Sequence, residues 1–171
     1  HVLAALQRYG SKASLKYLLP MLRGEGQFQE RVGDVIATLG PSSVPALIQE
    51  YAQGDFSLKR NIIGCLSRIG DGASRNFLVE CLLDDNFELV KWIGQTLSAQ
   101  IPNLAPKDQE QFAQRLVRFL EQGRTSSNVS ACMAANRLLG SMGIERHKPL
   151  VAKFAEPSRP LPLRQTALQA L

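Results

Sequence analysis

The chain has 171 residues, of which 44% are hydrophobic and 20% are charged, a balance typical of a folded protein rather than a disordered one. The apolar runs are interrupted by Gly, Pro or charged residues within about ten positions, well short of the roughly 20 that span a bilayer, so no transmembrane helix is predicted. The formal net charge is +5. The opening residues read as the middle of an amphipathic helix, so we expect a fragment of a larger protein.

From its first residues the chain repeats with a period of 30. Glycine recurs at Gly10, Gly40 and Gly70. Apolar residues recur in three further registers, which are Leu18, Ile48 and Leu78; Val2, Val32, Ile62 and Trp92; and Leu6, Ile36 and Leu66. A period of this length indicates an array of similar supersecondary units.

Each unit contains two helical patterns. After Gly40 a first helix has the apolar face Val44, Leu47, Ile48 and Tyr51, which follows the i, i+3, i+4, i+7 spacing of a one-sided helix. The turn "QGDF" follows, and a second helix has the face Leu58, Ile62, Leu66 and Ile69. We expect this helix to end at Gly70, with the glycine in the left-handed conformation. No stretch predicts a strand.

Beyond residue 101 the units become longer and less regular. "PKDQEQFAQRLVRFLEQG" predicts one helix and "SNVSACMAANRLLGSMG" its partner, and a last pair is "HKPLVAKFAE" and "LPLRQTALQAL". A helical hairpin of this size buries both apolar faces only when neighbours stack on it. The predicted fold is therefore an all-α solenoid, a superhelix of about five stacked hairpins, forming a single domain over residues 1–171, with regular repeats in 1–101 and irregular ones in 102–171.

One unit, "LGPSSVPALIQEYAQGDFSLKRNIIGCLSRIG", resembles a HEAT-like repeat of the short type found in phycobilisome lyase subunits. The matching features are Leu39–Gly40, the helix 44–48, the acidic turn residue Asp55, the basic residue Arg60 and the final Ile69–Gly70. The resemblance extends over residues 10–99. It implies a HEAT-like solenoid, and on resemblance alone it leaves a bilin lyase-type enzyme subunit as a further alternative.

Three features could carry chemistry, and each also has a structural interpretation. Asp84 and Asp85 form a carboxylate pair, yet Asp85 has the repeat position of Glu25 and Asp55, which favours a role in the turn. Trp92 could stack on a ligand, but it shares a register with core residues. The odd set Cys65, Cys81 and Cys132 lacks a C-x-x-C pair, so we expect buried reduced thiols in a cytoplasmic protein.

The sequence predicts no catalytic residue, no cofactor site and no metal site, and hence no enzyme. His1 and His147 are the only histidines, and no phosphate loop or nucleophile elbow is present. The basic excess lies entirely in the second half. From residue 112 onward the sequence contains three acidic residues, Glu121, Glu145 and Glu156. It contains nine basic residues over the same range, which are Arg115, Arg118, Arg124, Arg137, Arg146, Lys148, Lys153, Arg159 and Arg164. Nucleic-acid binding through this half is therefore an alternative function.

The polar positions of the second helices form the predicted binding surface. In a solenoid these helices line the concave side, where an extended peptide or a partner domain binds more readily than a small molecule. The candidate protein-binding residues are Arg31, Asp34, Asn61, Arg68, Lys91 and Gln95. The leading hypothesis is a non-catalytic scaffold that binds a partner protein or peptide along this groove.

Overall fold

The structure, a computed structural model, describes Ala5, residues 12–122 and residues 127–171, and within these ranges it is helical without strands. Ten α-helices are described. They are α1 (Leu15–Met21), α2 (Gln27–Thr38), α3 (Val44–Tyr51), α4 (Phe56–Ile69), α5 (Gly72–Glu80), α6 (Phe87–Gln100), α7 (Pro106–Glu121), α8 (Val129–Met142), α9 (Lys148–Lys153) and α10 (Leu161–Gln169). The all-α prediction is thereby confirmed. The repeat positions Val2, Leu6 and Gly10, and also His1, lie outside the described residues.

Local sequence explains where these helices begin and end. Helix α4 ends at Gly70, whose φ of 60° is left-handed as predicted, because glycine has no Cβ to clash there. Asp55 is the N-cap of the same helix, and its carboxylate accepts a hydrogen bond of 2.8 Å from the Leu58 amide. Asn86 and Asn128 cap α6 and α8 in the same way.

The chain divides into two compact units, and the first is His1–Phe77. Within it α4 packs against α2 and α3, and α1 packs against α2 and α3. The repeated apolar residues fill this core as predicted, since Val32, Ile36, Ile62 and Leu66 have no exposed surface. The apolar residues of each helix recur at helical spacing, so one face of the helix is buried and the opposite face is exposed to solvent.

The second unit is Leu78–Leu171, and α8 is its central helix. Helix α8 packs against α6, α7, α9 and α10. A Cβ at Gly140 would lie 2.6 Å from the Cα of Ala170, so α8 and the end of α10 approach more closely here than a side chain would permit. The predicted helices of residues 106–123 and 127–143 are confirmed as α7 and α8.

Trp92 departs from its repeat register. Val32 and Ile62 are fully buried, whereas Trp92 at the equivalent place in α6 is only partly buried. An indole is too large for the space that a valine or isoleucine fills. The prediction that Trp92 packs in the core therefore holds only for part of its side chain.

Within the described residues, no helix has both the length and the apolar character needed to cross a membrane.

Candidate protein-interaction surface

In the first unit, two of the predicted binding residues pair with each other. Asp34 on α2 and Arg68 on α4 form an ion pair, with 3.1 Å between Oδ1 and Nε. The Arg68 guanidinium also covers Gly33, where an added Cβ would lie 3.2 Å from its Nη1. Arg31 is exposed on α2. The pair joins α2 and α4, which are both second helices of the repeat.

Asn61 has a structural role instead of an open surface position. Its side-chain amide donates hydrogen bonds of 2.7 Å to the Leu22 carbonyl and 2.9 Å to the Gly24 carbonyl. These carbonyls lie just beyond the end of α1, where a helix leaves acceptors without intrahelical partners. Asn61 therefore fixes α1 to α4, and it is only half-exposed.

In the second unit, Lys91 and Gln95 lie at a surface groove between α6 and α8. The groove has a volume of about 590 Å³. We call it the α6/α8 groove, and its lining is Phe87, Val90, Lys91, Gly94, Gln95, Ser98 and Ala99 from α6, with Ser130, Met133, Ala134, Arg137 and Leu138 from α8. Both predicted residues are exposed there.

Small residues explain why a groove forms at this place. A Cβ at Gly94 would lie 3.7 Å from the Cβ of Ala134, which is ordinary van der Waals contact, so the two helices meet through their smallest side chains.

The segments preceding both helices are also neighbours, since Asp85 lines the same surface depression as Ser127 and Asn128. Helices α6 and α8 therefore run in the same direction, with Gly94 level with Ala134.

The chemistry of the groove is apolar with two positive charges. Val90 and Leu138 form its buried base, with 2% and 1% of their surfaces exposed, and Phe87 is 60% exposed beside them. Lys91 and Arg137 supply the only charged side chains among the described lining residues. Neither forms an ion pair with any described residue.

Several other cations of the second unit have intramolecular partners. Arg115 pairs with Glu80, Arg146 pairs with Glu110, and Lys148 pairs with Glu145. Arg124, one of the nine basic residues from position 112 onward, lies outside the described residues.

The nucleophilic and titratable side chains differ in their surroundings. Cys65, Cys81 and Cys132 are buried, as predicted, and form no disulfide among the described residues. Burial raises the pKa of Cys65 to about 12, although the neighbouring Arg68 guanidinium acts in the opposite direction. Burial lowers the pKa of His147, and the charge of Arg146 lowers it further. The described Asp, Glu, His and Cys residues provide no group of three that could hold a metal ion.

The half of the groove that α8 contributes was not predicted from the sequence. Met133, Ala134 and Arg137 lie beyond Gln100, where the 30-residue register is lost, so no periodic position pointed to them. A usable signal was the run of small residues in "SACMAA", since small side chains on one helix face permit a close helix neighbour.

Searches against protein-family models and against curated proteins return no match for this chain.

Proposed function

We propose that this chain is a non-catalytic interaction scaffold that binds a partner protein or peptide, and that its helices form a HEAT-like α-solenoid. The packing of second helices supports the solenoid, since α2 packs against α4 in the first unit and α8 packs against both α6 and α10 in the second. The 30-residue period agrees with this arrangement, because stacked units of one kind repeat their core positions.

The α6/α8 groove is the observation that supports the binding role best. A soluble protein exposes few large apolar residues in one place without a function for them. Here the exposed ring of Phe87 lies beside the partly buried Met133 and the buried base residue Val90. Lys91 and Arg137 adjoin them and form no ion pair with a described residue. An open surface of this kind suits an element of another protein, which brings its own apolar side chain and its own charges.

The test is capture of partners by the immobilised full chain from native lysate, with quantification by mass spectrometry. Ser98→Trp places a bulky side chain at an exposed position lining the groove, and it should reduce the captured amount of each groove-dependent partner. Gln111→Trp on α7 is the matched control, because Gln111 is exposed and does not line the groove. Identical capture by both variants and the native chain would contradict the proposal.

Nucleic-acid binding through the basic second half stays an alternative prediction, as does a bilin lyase-type subunit. Binding to duplex DNA that weakens by orders of magnitude between about 50 and 200 mM salt would favour the first alternative. A shift of bilin absorbance on mixing with the protein would favour the second. We propose that the protein is cytoplasmic, in accordance with its reduced cysteines.

A further inference from the structure

We infer that the α6/α8 groove binds an acidic amphipathic helix of a partner protein, which inserts apolar side chains between α6 and α8 and places carboxylates beside Lys91 and Arg137. This inference rests on the proposed scaffold function and specifies the class of partner at that site.

The charges of the lining select for an anionic ligand. Lys91 and Arg137 are exposed, and the described lining contains no carboxylate that would neutralise them. The remaining charged residue of α6, Glu88, is exposed outside the lining, and α8 has no acidic residue. A basic segment would therefore meet repulsion in the groove, and an acidic one would gain attraction on approach.

The shape and polarity of the groove favour a protein segment with an apolar face. Phe87 and Met133 are a large aromatic and a flexible thioether side chain, types that are common at adaptable protein-binding surfaces. The base formed by Val90, Ala134 and Leu138 is apolar. A helix that inserts its apolar stripe between two other helices is a common mode of peptide recognition.

The positions of the two cations set the spacing of the carboxylates. Lys91 is three residues before Gly94, and Arg137 is three residues after Ala134, which is level with Gly94. With a rise of about 1.5 Å per residue over six residues, the two cations are separated by about 9 Å along the groove. On a bound helix this distance matches two acidic residues about two turns apart.

The experiment is selection of random 16-residue peptides displayed on phage against the purified full chain, followed by fluorescence anisotropy of the enriched peptides. We expect enriched peptides to contain Asp or Glu spaced about two turns apart, with Leu, Ile or Phe at helical spacing between them. Enrichment without acidic residues, or no enrichment, would overturn the inference.

Charge reversal is the decisive comparison. The double variant Lys91→Glu with Arg137→Glu should weaken binding of an acidic peptide by at least about tenfold, and a new selection on it should enrich Lys and Arg. The control is Lys107→Glu with Arg118→Glu, which changes the net charge equally at two exposed residues of α7 outside the groove. The control should retain the native preference. Equal loss in both double variants, or an unchanged preference after reversal at the groove, would contradict the inference.

Two further outcomes separate this inference from the function on which it rests. If decanoate binds in the groove and no peptide does, a small anionic amphiphile is the occupant and the peptide inference fails. If Ser98→Trp abolishes capture of a native partner while reversal of Lys91 and Arg137 leaves capture intact, the scaffold function stands and the acidic-helix inference fails. If neither change affects capture, the scaffold function itself fails. Far-UV circular dichroism of every variant verifies the fold.

Discussion

The surface between α2 and α4 and the surface between α6 and α8 have opposite properties, although α6 repeats the positions of α2 and α4. In the first unit the polar residues satisfy one another, as Asp34 pairs with Arg68 and Asn61 binds two backbone carbonyls. In the second unit Lys91 occupies the place of Asn61, and its charge has no described partner. The repeat determines the position of a residue on its helix. The identity of the side chain determines whether it bonds to a neighbouring segment, as Asn61 does, or is available to a ligand, as Lys91 is.

The glycines in the two surfaces show the same contrast. A Cβ added at Gly33 would lie 3.2 Å from both Cys65 Sγ and Arg68 Nη1. A Cβ added at Gly94 would lie 3.7 Å from Ala134 Cβ. At Gly33 the neighbouring helix fills the space completely. At Gly94 the small partner leaves room above the contact, and this room is the α6/α8 groove.

The largest expected difference comes from enlarging these two glycines. Gly33→Leu should lower the free energy of unfolding by about 1–3 kcal/mol, because the side chain must displace Cys65 and Arg68 from a filled seam. Gly94→Leu should lower it less, because an added Cβ lies at an ordinary contact distance of 3.7 Å from the Ala134 Cβ and because leucine favours a helix more than glycine does. Urea unfolding followed by far-UV circular dichroism measures both. Equal destabilisation by both variants would show that the second surface is as closely packed as the first.

Asn61 and Lys91 provide the next comparison, since they occupy equivalent repeat positions. Asn61→Ala should cost about 1–2 kcal/mol, because two backbone carbonyls at the end of α1 lose their donor. Lys91→Ala should change the free energy of unfolding by less than about 0.5 kcal/mol, as expected for an exposed residue, while weakening the binding of acidic peptides. Urea unfolding and peptide titration of the same preparations separate the two roles. A stable Asn61→Ala variant would remove the structural explanation for this residue.

The Asp34–Arg68 ion pair should contribute little to stability. Its side chains are 54% and 43% exposed, so water and salt screen the attraction. Asp34→Asn should lower the free energy of unfolding by less than about 1 kcal/mol, and the difference should shrink at high salt. Thermal unfolding at low and high salt measures it. Arg68→Lys serves as the control, because it retains the charge and loses the planar guanidinium over Gly33.

The caps of α4 and α6 should differ in how much stability they contribute at acidic pH. The Leu58 amide, aided by the Ser57 hydroxyl, donates to Asp55 and lowers the pKa of its carboxyl. The unfolded chain therefore binds the proton more readily, so this stabilisation is present above the ordinary pKa of 3.8 and is lost as the pH falls through the folded value. Asn86, which caps α6, does not titrate.

Asp55→Asn should consequently reduce the loss of stability on going from about pH 6 to about pH 3, with little change at neutral pH. Urea unfolding midpoints at the two pH values measure this. Asn86→Ala is the reference, and it should cost about 1 kcal/mol at both pH values, because an amide cap is lost independently of protonation. A pH response of Asp55→Asn equal to that of the native chain would contradict the proposed role of the cap.

Much of the helical structure could be predicted from the sequence, because local signals determine helix ends. Gly70, the turn before Phe56 and the boundaries of α7 and α8 follow from glycine geometry and apolar spacing. The contacts that define the candidate site were not accessible in this way. Nothing near Asn61 in the chain indicates that its partners are the carbonyls of Leu22 and Gly24, because a hydrogen bond between distant segments depends on how helices pack.

The groove was predictable only in part for the same reason. Spacing placed Lys91 and Gln95 on the polar face of α6, and both side chains are exposed. The depth of the groove, however, depends on Gly94 meeting Ala134, and the residues between them include the point where the period of 30 ends. A pattern of apolar residues indicates which face is buried, but it does not specify the size of the side chain on the opposite helix.

The three buried thiols are natural probes of local opening in the two units. Cys65 lies in the first unit and Cys81 and Cys132 in the second, all buried, with burial raising the pKa of Cys65 to about 12. A maleimide reacts with thiolate, so each cysteine should be alkylated only when its surroundings open. Mass spectrometry of the labelled peptides over time would then report the opening rate of each unit separately, in one sample and without any mutation.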